Sequence, residues 1–94
     1  MFEIGRSDDK TIYLRGRFDA SRTQKASEVF DSVQESVVLD FEGLRYISSV
    51  GLGILISTQR RLDAAGGKVR IVNASDHIKD LFKITRFDLL IDIE

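Results

Sequence analysis

Apolar residues at the start of the chain alternate with polar ones: Phe2 and Ile4 stand against Glu3 and Gly5, and Ile12 and Leu14 against Tyr13 and Arg15. A period of two is that of a strand with one buried face, and the intervening Arg6-Ser7-Asp8-Asp9-Lys10 is turn chemistry, so the two runs predict an antiparallel hairpin. From Ala20 to Val33 the spacing becomes helical, with Ala26, Val29, Phe30 and Val33 at i, i+3, i+4 and i+7. Asp19 or Ser21 is the expected cap of this helix. Val37-Val38-Leu39-Asp40-Phe41 is a nearly continuous apolar run with β-branched residues, which predicts a central strand covered on both faces.

Val50-Gly51-Leu52-Gly53-Ile54-Leu55-Ile56 reads by periodicity alone as either strand or helix, and each of its glycines lowers helix propensity by roughly 1 kcal/mol relative to alanine. Polar residues resume at Ser57-Thr58-Gln59-Arg60-Arg61, Leu62 returns on the face of Leu55, and Gly66-Gly67 ends the pattern after about four turns. The segment is therefore expected to be a helix, with Ser48 and Ser49 where N-caps belong. Val69 and Ile71 then alternate with Lys68 and Arg70 as a strand, Ser75-Asp76 opens a shorter helix carrying Ile78, Leu81 and Phe82, and Leu89-Leu90-Ile91 is the expected last edge strand. The order β-β-α-β-α-β-α with that final strand predicts an α/β fold. Its sheet is mixed and mostly parallel, with an N-terminal antiparallel hairpin and three to four helices.

Composition narrows the function. Ninety-four residues without a repeat or proline-rich linker suit one domain spanning 1–94. Fourteen basic and fifteen acidic residues leave a net charge of −1, which supplies no basic field of the kind that dominates nucleic-acid binding. The amino terminus has no apolar signal core, and no apolar run approaches the ~20 residues that span a bilayer, so no membrane insertion is expected. The absence of cysteine removes disulfides, thiolate metal sites and cysteine nucleophiles, and it agrees with a cytoplasmic location.

Catalytic signatures are missing. Gly51-Leu52-Gly53 begins like a dinucleotide fingerprint, but Ile56 stands where the third glycine belongs, and there is no Gly-Lys-Ser/Thr phosphate loop. Ser49 lacks the preceding glycine of a hydrolase elbow. The single histidine, His77, falls in the first turn of the last helix, where a solvated or capping role is the ordinary one. Asp8-Asp9 reads as an exposed turn rather than a metal site. What remains is the junction Asp40 to Gly53, which places two hydroxyls where a strand hands over to a helix. Helix N-termini there carry unpaired N–H groups and roughly half a positive charge. From spacing alone, Ser48 and Ser49 are either caps or a site. Gly51 and Gly53 in the first turn are expected to keep the helix surface bare beside Ser49, so that another backbone approaches closely.

The chain resembles the STAS domains, and among them the single-domain anti-sigma factor antagonists of bacteria. Val38-Leu39-Asp40-Phe41, Leu44, Tyr46-Ile47-Ser48-Ser49, Gly51-Leu52-Gly53 and Leu55 are similar to the family signature of a strand, then Asp-Ser-Ser/Thr-Gly-Leu-Gly, then a helix. Gly16-Arg17-Phe18-Asp19 resembles the Gly-x-Leu-Asp turn after the second strand, and Ala65-Gly66-Gly67 with Val69-Arg70-Ile71-Val72 resembles the glycine break and following strand. The resemblance covers almost the whole chain. It departs from the pattern at Ser48, which takes the place of the signature aspartate, and at Thr85-Arg86-Phe87, where Thr-Gly-Leu is common.

The resemblance implies partner switching without catalysis, metal or cofactor. The unmodified domain would bind an anti-sigma factor with serine kinase activity and free the sigma factor. Phosphorylation on Ser49, with Ser48 as the lesser candidate, would block binding, and a serine phosphatase would reset the switch. Asp19, Ser48, Ser49, Gly51, Leu52 and Gly53 would form the partner-binding surface. The alternative within the family is a regulatory subunit of a transporter or ABC ATPase that acts by contact alone.

Overall fold

The computed structural model describes residues 1–94. Strands β1 (Phe2–Asp8) and β2 (Thr11–Phe18) form the antiparallel hairpin, with Ile4 opposite Leu14 and Phe2 opposite Gly16. Strand β3 (Val37–Ile47) pairs in parallel with β2, β4 (Val69–Val72) with β3, and β5 (Asp92–Ile93) with β4, so the sheet order is β1-β2-β3-β4-β5. Helices α1 (Thr23–Asp31), α2 (Ser49–Ala64) and α3 (Asp76–Ile84) provide the three crossovers.

Because β2 to β5 follow one another across the sheet, three right-handed crossovers all advance in the same direction and lie on one face. Burial follows from this. Ile12, Leu14 and Phe18 of β2, Leu39 and Phe41 of β3 and Ile71 of β4 are buried under the helices, while Tyr13, Arg15, Arg17, Glu42 and Arg70 face outward. The expectation that the β3 segment would be covered on both faces is thus corrected. One face is solvated, and Val38 and Asp40 there are only half buried. A sheet whose crossovers never reverse direction has no helix to place on its second side.

Twenty-two buried apolar residues form one cluster. Phe2 stacks on Phe18 with ring centroids 4.9 Å apart, and Phe82 lies between Phe87 at 4.7 Å and Phe41 at 6.2 Å. Burying each such side chain contributes roughly 1.5–3 kcal/mol. Arg61 of α2 reaches across to α1, its guanidinium donating to the carbonyls of Val33 at 2.6 Å and Phe30 at 2.7 Å. Those carbonyls lie at and just beyond the end of α1, and the one at Phe30 accepts from the Val33 amide at 3.0 Å as well as from Arg61.

Local signals located most helix ends. The Ser75 side chain accepts from the Ile78 amide at 3.2 Å and caps α3. After α2, Gly66 takes φ +84°, with Gly66 donating to Asp63 at 3.0 Å and Gly67 to Leu62 at 2.8 Å, the paired bonds of a left-handed C-terminal cap. Other boundaries moved. The expected helix from Ala20 to Val33 is a 3-10 turn over Ala20–Arg22 followed by α1, and Val33 lies beyond it, buried. Leu89-Leu90-Ile91 is not a strand: Phe87–Leu89 is a 3-10 turn, Ile91 enters the core, and the edge strand is Asp92–Ile93. Arg86, at the position where the resemblance implies glycine, itself adopts the left-handed conformation at φ 60° after α3.

Candidate functional site

The site is built where β2 and β3 end together. Residues 42–47, expected as a connection, continue β3 because β2 runs alongside them. Gly16 faces Leu44, Arg17 faces Tyr46 and Phe18 faces Ile47, with register shifts between Tyr13 and Arg15 and between Gly16 and Arg17. The shifts let two strands of unequal length finish level. The amide of Ser48 then donates to the carbonyl of Phe18 at 2.9 Å. Asp19 therefore follows β2 at the same corner at which Ser48 and Ser49 follow β3, and the Ala20–Arg22 turn packs against α2.

The two serines have different tasks. Ser48 is the N-cap, extended at φ −83° and ψ 168°, and its hydroxyl accepts from the Gly51 amide at 3.1 Å, while its carbonyl accepts from Leu52 at 2.9 Å. Ser49 is the first residue of α2, exposed, and its hydroxyl has no hydrogen-bond partner in the chain. It stands beside the helix's free first amides, at the positive end of the dipole.

Asp19 caps the 3-10 turn. Its carboxylate accepts from the Ser21 amide at 3.0 Å and from the Ser21 hydroxyl at 2.6 Å, so Ser21 is a donor to the cap rather than the cap itself. These bonds, the hydroxyl first and then the amide, hold the Asp19 pKa below the ordinary 3.8, with Arg22 and Arg17 adding attraction against a desolvation that opposes them. The carboxylate is thereby kept ionised at the corner.

The two signature glycines separate. Gly51 is buried, and a β-carbon there would come within 2.9 Å of Ile47 Cγ1 and 3.2 Å of Phe18 Cδ2. Its bareness serves the close seating of α2 on the ends of β2 and β3, which corrects the expectation that it opens the outer surface. Gly53 does open it: a β-carbon there would meet nothing within 4 Å. Leu52 is 8% exposed and packs in the core, supporting the corner from beneath. His77 is exposed in the first turn of α3.

Two features were not anticipated from the sequence. Val50 is 47% exposed directly after Ser49, on the side of α2 away from the buried Leu52, Leu55 and Leu62. Arg17 lies over the Tyr46 ring at 4.3 Å on the open sheet face, immediately below the corner. The Arg17–Tyr46 contact follows from the register of β2 against β3, which sets the two residues opposite each other and which no single segment carries. No helix is long and apolar enough to cross a membrane.

Comparison with known proteins agrees with this geometry. The STAS domain family matches residues 5–94. An anti-sigma-B factor antagonist of Listeria monocytogenes is 28% identical over 92 residues, covering 94% of this chain and 81% of that protein. An anti-sigma F factor antagonist of Lysinibacillus sphaericus is 23% identical over 64 residues, covering 68% of this chain and 55% of that protein. Among solved structures, the Bacillus cell fate determinant SpoIIAA in its phosphorylated form superposes with a TM-score of 0.69 at 19% identity, over all of this chain and 91% of that one. An anti-sigma factor antagonist from Mycobacterium paratuberculosis superposes at 0.80 and 18% identity, over 99% and 83%. With the family matched over residues 5–94, nearly the whole chain, and a fold that superposes on those solved structures, the chain belongs to the STAS domain family.

Proposed function

We propose that this domain is an anti-sigma factor antagonist controlled by phosphorylation of Ser49. Unmodified, it binds an anti-sigma factor that is also a serine kinase and so frees the sigma factor. Phosphorylated, it is released, and a serine phosphatase restores it. The observation that carries this reading is the contrast between the serines: Ser48 spends its hydroxyl on the cap, while Ser49 presents a free, exposed hydroxyl at the helix start. The names of the relatives support the antagonist role, and SpoIIAA, a neighbour in fold, exists in phosphorylated and unphosphorylated forms.

Physics explains how one group would switch binding without unfolding. Phosphate adds about −1.5 to −2 charges. Within the free domain it sits at the positive end of α2, an interaction worth about 0.3–1 kcal/mol. Against a docked partner the same charge lies beside the ionised Asp19 in a drying interface, where like-charge juxtaposition costs several kcal/mol. The domain acts as substrate and ligand, with the chemistry performed on it.

The test is incubation with the cognate anti-sigma factor and ATP, followed by phosphopeptide mapping. One phosphate on Ser49 is expected. Exclusive labelling of Ser48, or no labelling beside intact binding, would overturn the assignment and leave contact regulation of the transporter type in its place.

A further inference from the structure

Helix α3 and the turn after it leave large apolar side chains in water. Ile84 is 80% exposed, Leu89 73% and Leu90 52%, all within one short stretch of chain, and contiguous exposure of this kind marks an interaction surface. Helix α3 leaves the C-terminal end of β4 and returns the chain to the start of the parallel β5, so the stretch sits at the end of the sheet opposite Ser49, which follows the C-terminal end of β3. Beside it, between α3 and β5, opens a groove of about 300 Å³ lined by Lys79, Phe82, Lys83, Asp88, Ile93 and Glu94. The chain's ion pairs join Glu3 to Arg15, Lys68 to Asp92 and Arg70 to Glu94. Glu94 is thus already engaged, whereas Lys79, Lys83 and Asp88 belong to no pair, and Asp76 and Asp80 on α3 pair with neither lysine. Lys79 and Lys83 stand one helical turn apart and share a face. An apolar floor under two ammonium groups suits an apolar segment that carries a carboxylate. The chain displays such a segment at the groove's own rim, Asp88-Leu89-Leu90, exposed at all three positions.

We propose that this end of the molecule is the interface of a homodimer, in which a two-fold axis seats Asp88-Leu89-Leu90 of each copy in the groove of the other, Asp88 against Lys83 and the leucines along the apolar floor. Two properties identify the occupant as a second copy. The surface carries both the groove and the segment that fits it, side by side, so a two-fold axis satisfies each contact twice. It also carries both signs of unpaired charge, and a partner of one sign would leave either Asp88 or the lysines opposed. The inference does not depend on the reading of Ser49. Because Ser49 lies at the other end of each copy, dimerisation leaves both corners open and makes the domain a bivalent ligand.

The test is sedimentation equilibrium of the unphosphorylated domain from micromolar to millimolar concentration, where an equilibrium between monomer and dimer is expected. Leu89→Gln, at an exposed position, should weaken the dimer tenfold or more with the circular dichroism of wild type retained. Asp88→Lys and Lys83→Glu should each weaken it by a similar factor, since each sets like charges together at both contacts of its own dimer. An equimolar mixture of these two variants should restore the wild-type affinity, because every contact in the mixed dimer again joins opposite charges. A domain that stays monomeric throughout overturns the proposal. So does a dimer that all three variants form as readily as wild type, or a mixture that associates no more tightly than either variant alone.

Discussion

The amide of Ser48 donates to the carbonyl of Phe18 at 2.9 Å, joining the ends of two parallel strands thirty residues apart in sequence. Through this bond the cap of the 3-10 turn, Asp19, and the cap of α2, Ser48, become neighbours, and Ser49 is delivered to the corner between them.

Since Ser48 alone holds an orphan amide of α2, its removal should be felt by the fold. Ser48→Ala is expected to cost about 1 kcal/mol, which in a domain of this size lowers Tm by about 4–8 °C. Ser49→Ala should stay within about 0.5 kcal/mol of wild type, as exposed substitutions do. Thermal and urea denaturation of the pair check the division of labour. Equal losses would mean that Ser49 also has a structural partner.

A charge at position 49 should separate binding from folding. Ser49→Asp is expected to retain the far-ultraviolet circular dichroism of wild type while weakening the anti-sigma factor complex about a hundredfold, close to 2.8 kcal/mol. Isothermal titration calorimetry reads the affinity, and loss of the dichroism signal would show the serine to be structural.

Gly51 should tolerate no side chain. A methyl group there collides with Ile47 at 2.9 Å, and neither Ile47 nor Phe18 has free space to retreat into, both being buried. Overpacking of this kind costs about 1–3 kcal/mol, against a helix-propensity gain of up to about 1 kcal/mol. Gly51→Ala is therefore expected to lower stability by about 1 kcal/mol net, measured by denaturation. A rise would show that α2 slides without penalty.

Acid should act through three hydrogen-bonded carboxylates, one in the hairpin turn, one capping the 3-10 turn and one paired with a lysine. The pKa values of Asp8, Asp19 and Asp92 all lie below 3.8: Asp8 through the Lys10 amide, Asp19 through Ser21, and Asp92 through Lys68 at 2.8 Å. A carboxylate whose pKa is depressed on folding contributes stability that is fully present above its unfolded value and is lost as pH falls through its folded value. Tm should thus be insensitive to these groups from neutrality to about pH 5 and decline below pH 3.8. In Asp19→Asn the decline should be shallower, and an unchanged slope would remove Asp19 from the account.

Arg86 occupies a left-handed position at φ 60° after α3. A side chain there costs roughly 1 kcal/mol that glycine avoids. Arg86→Gly is expected to stabilise the domain by up to about that amount, seen as a higher midpoint in urea. No change would show that unfolded-chain entropy cancels the relief.

Elements whose causes lie within a few residues were legible in the sequence by itself. The hairpin follows from alternation around a polar turn, the start of α2 from Ser48, its end from Gly66-Gly67, and the start of α3 from Ser75. Each of these helix ends is decided by hydrogen bonds between groups three to five residues apart. The signature around Ser49 was legible for the same reason, being contiguous. Tertiary structure alone decided that residues 42–47 are strand, that the last strand is Asp92–Ile93, that the sheet keeps one face in water and that Gly51 serves the inside while Gly53 faces out. Strand pairing and close packing join residues tens of positions apart. Gly51 and Gly53 are the same residue two places apart in one motif, and only the presence of Ile47 and Phe18 beneath one of them makes their roles differ.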